Sequence, residues 1–286
     1  PPAPSAAAPF AGGVENLVEL DRDHPGFRDL AYRARRDAIA RAALQYREGD
    51  SPAPVDYTAE EHEVWRTVSR ELGILHARYA SAEAKACAQL VALPTDRVPQ
   101  LAEVNARLAQ AGTGMQMLPV AGLVAPRTFL VHLARGMFLS TQYMRHHSAP
   151  LYTPEPDVIH ELVGHAGSLA HPEFARLSRL FGRAAEQASA DGIEQLTRLY
   201  WYTLEFGLVR EGGALKAYGA GLLSSFGELG RFETQAHIEN FAVEKVLATP
   251  YDPTDYQRVL FVVRSFASMG EELSAWLCAR YRLPDA

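Results

Sequence analysis

Residues 153–165 read Thr-Pro-Glu-Pro-Asp-Val-Ile-His-Glu-Leu-Val-Gly-His, and they leave the backbone few choices. Pro154 and Pro156 force extended chain, and Asp157 after them is a good helix N-cap. A helix therefore starts at Asp157. His160 and His165 lie five positions apart on it. At about 100° per residue they would point roughly 140° apart on an ideal α-helix. They can share a ligand only if the helix ends between them. Gly164 permits such an ending, because glycine accepts φ > 0 without steric cost. The expectation is a short helix that stops at Gly164 and swings His165 back toward His160.

That spacing decides between two metal chemistries. A zinc hydrolase built on His160, Glu161 and His165 would need its histidines at i and i+4 on one face. Two histidines joined by a later carboxylate, with open positions left over, suit non-haem ferrous iron. Glu205 is the candidate third ligand. It is a lone carboxylate in Leu199-Tyr200-Trp201-Tyr202-Thr203-Leu204-Glu205-Phe206-Gly207, where an ionised group is rarely buried without a partner.

Composition sets the frame. With 286 residues, 48% hydrophobic and 22% charged, the chain is long and apolar enough for one large domain with a substantial core. Residues 1–15 read as a flexible Pro/Ala-rich tail and 16–286 as the domain. A net charge of −6 argues against a nucleic-acid binder. The longest uncharged run, Leu108–Pro126, is broken by Gly, Pro and Gln, so no membrane span is expected. Cys87 and Cys278 read as two buried free thiols in a reducing compartment, hence a cytoplasmic protein.

Periodicity predicts mostly helices. One follows the lead-in from Asn16, with Phe27, Ala31 and Ala34 on an early face and Ile39, Ala43 and Tyr46 farther on. Its Arg33, Arg35 and Arg36 read as a solvated face. Thr58 and Glu61 form a capping box before the stripe Trp65, Val68, Leu72, Leu75. Further helices are expected at Ser81–Leu93, from Gln100 with Leu101, Val104 and Leu108 inward, at Arg127–His147, at Pro172–Arg183, at Glu186–Glu205 and at Met269–Tyr281. Short strands are expected within 214–229 and at Val259–Val263. His237 reads as a surface residue.

Longer words then carry a resemblance. They are Asp23–Phe27, Tyr32–Arg36, Leu-Pro-Val-Ala-Gly-Leu at 118–123, Thr-Gln-Tyr-Met-Arg-His at 141–146, Tyr152–His165, Tyr200–Leu208 and Lys216–Leu229. In this order they resemble the pterin-dependent aromatic amino acid hydroxylases, over roughly residues 16–270, and the animal-type enzymes more than the shorter bacterial ones. The resemblance implies a mainly α fold, a single catalytic domain of packed helices with a few short strands. It implies Fe(II) on His160, His165 and Glu205, tetrahydrobiopterin or a related tetrahydropterin, and O2 as co-substrate. It places the pterin against Val120, Gly122, Leu123 and the ring of Phe129. Glu161 would hydrogen-bond an iron-bound water or the pterin, and Tyr200 would play a similar part. Arg145, at the end of its helix, would clamp the substrate α-carboxylate with help from Thr153 and Ser224. Pro156, Trp201, Phe206 and Gly221 would enclose the ring. The implied substrate is a free aromatic amino acid, first L-phenylalanine, with tyrosine or tryptophan as alternatives. The resemblance leaves no room for the regulatory and tetramer-forming segments of animal members, so a monomer or weak dimer is expected.

Several positions depart from the family pattern. Ala166-Gly167-Ser168 stands where members carry Val/Cys-Pro-Leu, Gly136-Met137 replaces Phe-Arg, Ser140 a common Cys and Pro126 a common Ser. The first of these is expected to loosen the wall beside His165. Oxidation at the para position would give tyrosine, and a ring turned in a looser pocket would give meta-tyrosine.

Overall fold

The computed structural model describes residues 20–253 and 255–284. The tail reading for residues 1–15 lies outside them. The first helix, Leu30–Leu44, is capped by Asp29, whose side chain accepts from Tyr32 N. Its buried face is Arg36, Ile39, Ala40 and Ala43, while Ala31 and Ala34 are exposed. Arg36 thus overturns the solvated reading. Its guanidinium lies 3.7 Å from the centroid of the Tyr143 ring and pairs with Glu155. A charge can be buried when it is both paired and stacked. Ala59–Tyr79 opens on the expected Thr58–Glu61 capping box and buries Trp65, Val68 and Leu72. Ala82–Val91, capped by Ser81, and Leu101–Ala111 follow as predicted.

The core centres on the helix Pro172–Gln187. It buries Phe174, Leu177, Leu180, Phe181, Ala184 and Ala185, and packs between Pro126–Leu133 and Phe266–Tyr281. Gly182 makes the first crossing possible. A Cβ there would lie 2.0 Å from Ala134 N, so the two backbones touch.

The single helix expected over 127–147 does not form. The helix is Pro126–Leu133, and strand β2, Met137–Ser140, follows it. β2 pairs in parallel with β1, Gln116–Pro119. Gly136 turns the chain between helix and strand at φ +75°, and a Cβ there would lie 2.5 Å from Gly114 O. A short buried apolar run does not declare its own secondary structure, which is why Met137–Ser140 read as helix. Arg145 accordingly sits in irregular chain beyond β2, not at a helix end.

A second sheet runs in the order β4-β3-β6-β5. β3, Leu208–Glu211, and β4, Ala214–Ala217, form an antiparallel hairpin. Its loop, Gly212-Gly213, has φ +54° and +85°, the twist that suits a two-residue hairpin. β6 is the expected Val259–Val263, parallel both to β3 and to β5, His237–Asn240. His237 is exposed, as read. Cys87 and Cys278 are free thiols, the first buried and the second only half-buried. Among the described residues no helix is long and apolar enough to cross a membrane.

Candidate active site

The two histidines meet by a route that was not expected. The chain does not stop at Gly164. Residues His160–Ala166 form a π-helical turn that runs on into Gly167–Leu169. Hydrogen bonds from i to i+5 widen the turn, so residues five apart fall on one face. Gly164 does not take a positive φ. It is needed for clearance instead, since a Cβ there would lie 2.7 Å from Ala220 O. Asp157 does begin the helix, its Oδ1 accepting from His160 N at 3.2 Å. A second π-helical turn, Trp201–Glu205, ends the helix Ala190–Tyr200 and delivers Glu205 to the same point.

His160 Nε2 and His165 Nε2 are 3.2 Å apart. Glu205 Oε1 lies 3.1 Å from His165 Nε2, and Oε2 lies 3.8 Å from His160 Nε2. Ser224 fixes the His160 tautomer. Its hydroxyl donates to Ala220 O at 2.8 Å and so can only accept from His160 Nδ1, at 2.9 Å. The proton therefore sits on Nδ1, and the Nε2 lone pair faces the other two groups. Burial lowers the His160 pKa to about 4, against the pull of Glu205. Burial also pushes the Glu205 carboxyl up, but the His165 and His160 rings outweigh it and hold the group below its ordinary value. Burial pulls the His165 pKa down, but the Glu205 charge and hydrogen bond outweigh it and hold the ring above its ordinary value. Two imidazole nitrogens and a carboxylate converging in a buried corner fit a divalent cation that displaces that proton, and this donor set suits ferrous iron.

Around this corner the structure places the other expected residues. Glu161 is buried and accepts from Thr141 N at 3.2 Å and Thr141 Oγ1 at 3.1 Å. Burial raises its pKa to about 7, against the His165 ring and the Thr141 hydrogen bonds. Burial likewise raises the Tyr200 phenol well above its ordinary value. Phe129 meets Tyr200 and Phe138 edge to face, at 5.5 and 5.3 Å between centroids. His160, His165 and Glu205 all open into one cleft of about 540 Å³. Val120, Gly122, Leu123 and Phe129 are among its lining residues. Val120 is buried, while Leu123 is 70% exposed at the rim.

Arg145, Thr153, Pro156, Trp201, Phe206, Gly221 and Ser224 also line the cleft. Arg145 is 4% exposed, and Asp157 holds it. Nε and Nη2 donate to the carboxylate at 2.9 and 2.8 Å, and the Arg145 backbone N–H donates to it as well. Nη1 also donates to Pro150 O at 3.4 Å, which leaves one N–H on Nη1 and one on Nη2 for a carboxylate. Thr153 Oγ1 donates to Glu155 O. The Ser224 hydroxyl is committed to His160 and Ala220, so it supports the metal corner and has no proton to give a substrate carboxylate. Trp201 lies between Phe206 and Tyr251, at 4.6 and 4.8 Å, and its Nε1 donates to Gln257 Oε1 at 2.8 Å. Gly221 leaves room for Phe206: a Cβ there would be 2.6 Å from Phe206 Cζ.

Ala166, Gly167 and Ser168 are not among the described residues that line the cleft. They face the helix Ala82–Val91, and a Cβ on Gly167 would lie 3.0 Å from Cys87 C. The change expected to loosen the wall beside His165 therefore falls on the side packed against that helix and not on the cleft lining. Of the other departures only Pro126 reaches the cleft. Asp157 as the Arg145 holder, Thr141, Gln257 and Glu228 were missed. Glu228 carried a usable signal, the same one that marked Glu205: a lone carboxylate in an apolar, glycine-rich run.

A parallel β1–β2 pair and two π-turns thus bring a two-histidine, one-carboxylate corner and a buried arginine to one cleft, an arrangement that fits a single metal ion. Comparison with known proteins agrees. The pattern of the biopterin-dependent aromatic amino acid hydroxylases matches residues 14–282. Phenylalanine-4-hydroxylase of Caenorhabditis elegans is 45% identical over 264 residues, 91% of this chain and 58% of that enzyme. Tyrosine 3-monooxygenase of Homo sapiens is 44% identical over 263 residues, 90% of this chain and 50% of that enzyme. This chain thus spans between half and three-fifths of the length of those two relatives. The crystal structure of Chromobacterium violaceum phenylalanine hydroxylase, with bound iron(III) and 7,8-dihydrobiopterin, superposes with a TM-score of 0.73 at 29% identity, covering 85% of this chain and 92% of that one. The chain belongs to the biopterin-dependent aromatic amino acid hydroxylase family.

Proposed function

We propose that this protein is a tetrahydropterin- and Fe(II)-dependent monooxygenase that hydroxylates the ring of free L-phenylalanine. The observation that carries the reading is the convergence of His160, His165 and Glu205 at the cleft that Arg145 and Trp201 also line. His160, His165 and Glu205 would hold the iron, and Val120, Gly122, Leu123 and Phe129 the pterin. When bound, the iron activates O2 and the reduced pterin supplies the electrons. The protein's own part is placement and exclusion of water. Asp157 pins one edge of Arg145, which leaves the remaining N–H groups preset for a bidentate grip on the α-carboxylate. Pro156, Trp201 and Phe206 confine the ring. Glu161, whose pKa is near neutrality, holds or releases a proton beside the metal corner.

Phenylalanine is favoured over tyrosine by the ring enclosure. Pro156 and Phe206 are apolar, and the Trp201 indole N–H is already used by Gln257, so these three offer nothing to a phenol hydroxyl. Position favours para. Of the departures, Ala166-Gly167-Ser168, Gly136-Met137 and Ser140 stay out of the cleft lining, and only Pro126, beside the residues proposed for the pterin, enters it. Incubation with L-phenylalanine, a tetrahydropterin and Fe(II), with products resolved against ortho-, meta- and para-tyrosine, tests both points. Para-tyrosine is expected; meta-tyrosine would overturn the position, and product from tyrosine alone would overturn the substrate.

A further inference from the structure

Glu228 has no place in the scheme above, yet it lines the same cleft and is 7% exposed. We infer that Glu228 receives the α-ammonium group of the amino acid substrate. The inference rests on the hydroxylase reading and names the second half of its zwitterion site. A free amino acid brings two charges into a cleft of mostly apolar lining. Arg145 answers one. Leaving the other unanswered would cost the full desolvation of an ammonium.

Among the described residues five carboxylates line the cleft: Glu155, Glu161, Glu205, Glu228 and Asp255. Glu155 pairs with Arg36 and His24. Glu161 is held by Thr141, and Glu205 belongs to the metal corner. Asp255 is largely exposed and accepts from its neighbour Tyr256 N. Glu228 differs from all of these. Its Oε1 accepts from Gln257 N at 2.7 Å, and its Oε2 has no hydrogen-bond partner among the described residues. The side chain is therefore buried, half satisfied and at the cleft wall.

Its position suits the task. Ser224, four residues earlier, bonds His160, and His160 N bonds the Asp157 that pins Arg145. The Arg145 anchor is thus tied by hydrogen bonds as far as Ser224, and Glu228 follows one turn later on the same cleft wall, its own N–H donating to Ser225 Oγ. Gln257 ties the same wall to the ring enclosure through Trp201. Burial, with the Asp255 charge adding to it, raises the Glu228 pKa to about 7. An incoming cation would favour the charged form and offset that penalty.

The test pairs a variant with a substrate analogue. Glu228→Gln keeps an oxygen for Gln257 N and removes the charge. Affinity is measured by anaerobic calorimetry on the Fe(II)-loaded protein, for L-phenylalanine and for 3-phenylpropanoate, which lacks the ammonium. Glu228→Gln is expected to weaken L-phenylalanine about 10- to 100-fold, the range of a charge-assisted hydrogen bond, and to leave 3-phenylpropanoate within about twofold. Equal losses for both compounds, or no loss for either, overturn the ammonium contact while leaving the hydroxylase reading intact. Wild-type protein that binds neither compound overturns the hydroxylase reading, and the inference falls with it.

Discussion

Among the described residues two corners each gather three potential metal ligands, and the proposed function uses only one of them. The first is His160, His165 and Glu205; the second is Glu83, Cys87 and His171. Their difference lies in what the far side of a histidine ring does. In the first corner Ser224 accepts from His160 Nδ1, which frees the Nε2 lone pair. In the second, His171 Nδ1 accepts from Glu173 N, at 3.3 Å, to cap the helix Pro172–Gln187. The ring proton then sits on Nε2 and goes to Glu83 at 2.7 Å. No imidazole lone pair is left there. Burial, helped by the Glu83 charge, also pushes the Cys87 thiol up to about 12, away from the thiolate a metal needs. A cluster of ligand types is therefore not a site until the outer hydrogen bonds are counted.

The largest way to break this contrast is Glu205→Ala. Iron in metal analysis should fall to background, and turnover should drop by on the order of a thousandfold. Full iron content with normal turnover would remove the metal seat. Next is Asp157→Asn, which strips the charge partner from buried Arg145. Breaking such a pair costs about 3–5 kcal/mol, read as a lower midpoint in urea. The pH dependence has a definite sign. Burial pushes the Asp157 carboxyl up, but Arg145 outweighs it and holds the pKa below its ordinary value. The pair thus stabilises the fold above the unfolded pKa, and that stability is lost as pH falls through the folded value. Asp157→Asn should flatten the acid limb of a melting curve.

Ser224→Ala tests the outer shell alone. It should weaken iron about 10- to 100-fold in a chelator competition while the protein stays folded. Glu228→Gln has an opposite pH signature to Asp157→Asn. The Glu228 pKa is raised to about 7 by burial, so wild-type stability falls as pH climbs from the unfolded carboxylate pKa toward 7. The variant should gain relative to wild type between acid and pH 8 in thermal melts. The smallest effect is in the second corner. His171→Ala should leave iron stoichiometry unchanged and cost about 1 kcal/mol, the loss of one helix cap.

Much of this was legible in the chain, for stated reasons. The Thr58–Glu61 box, the Trp65–Val68–Leu72 stripe and the Val259–Val263 strand are local patterns, and local patterns survive folding. Glu205 was legible because an ionised group in an aromatic run demands a partner. Arg36 was misread because a buried arginine and a solvated one look alike until Tyr143 and Glu155 come in from more than a hundred residues away. Met137–Ser140 was misread because its partner strand, Gln116–Pro119, decides its conformation. Glu228 was passed over although it met the test applied to Glu205.

The sequence by itself determined which groups could do chemistry here: two histidines after a proline-framed start, a stranded carboxylate, and an arginine in a recognisable word. It also determined that His160 and His165 cannot share a face of an ordinary α-helix. Only the tertiary structure decided how they meet. The packing of Ala220 against Gly164 accompanies a turn that closes on residue i+5, and Ser224 sets the tautomer from sixty-four residues away. Spacing along a chain fixes angles only for a given helix, and the choice of helix belongs to the contacts around it.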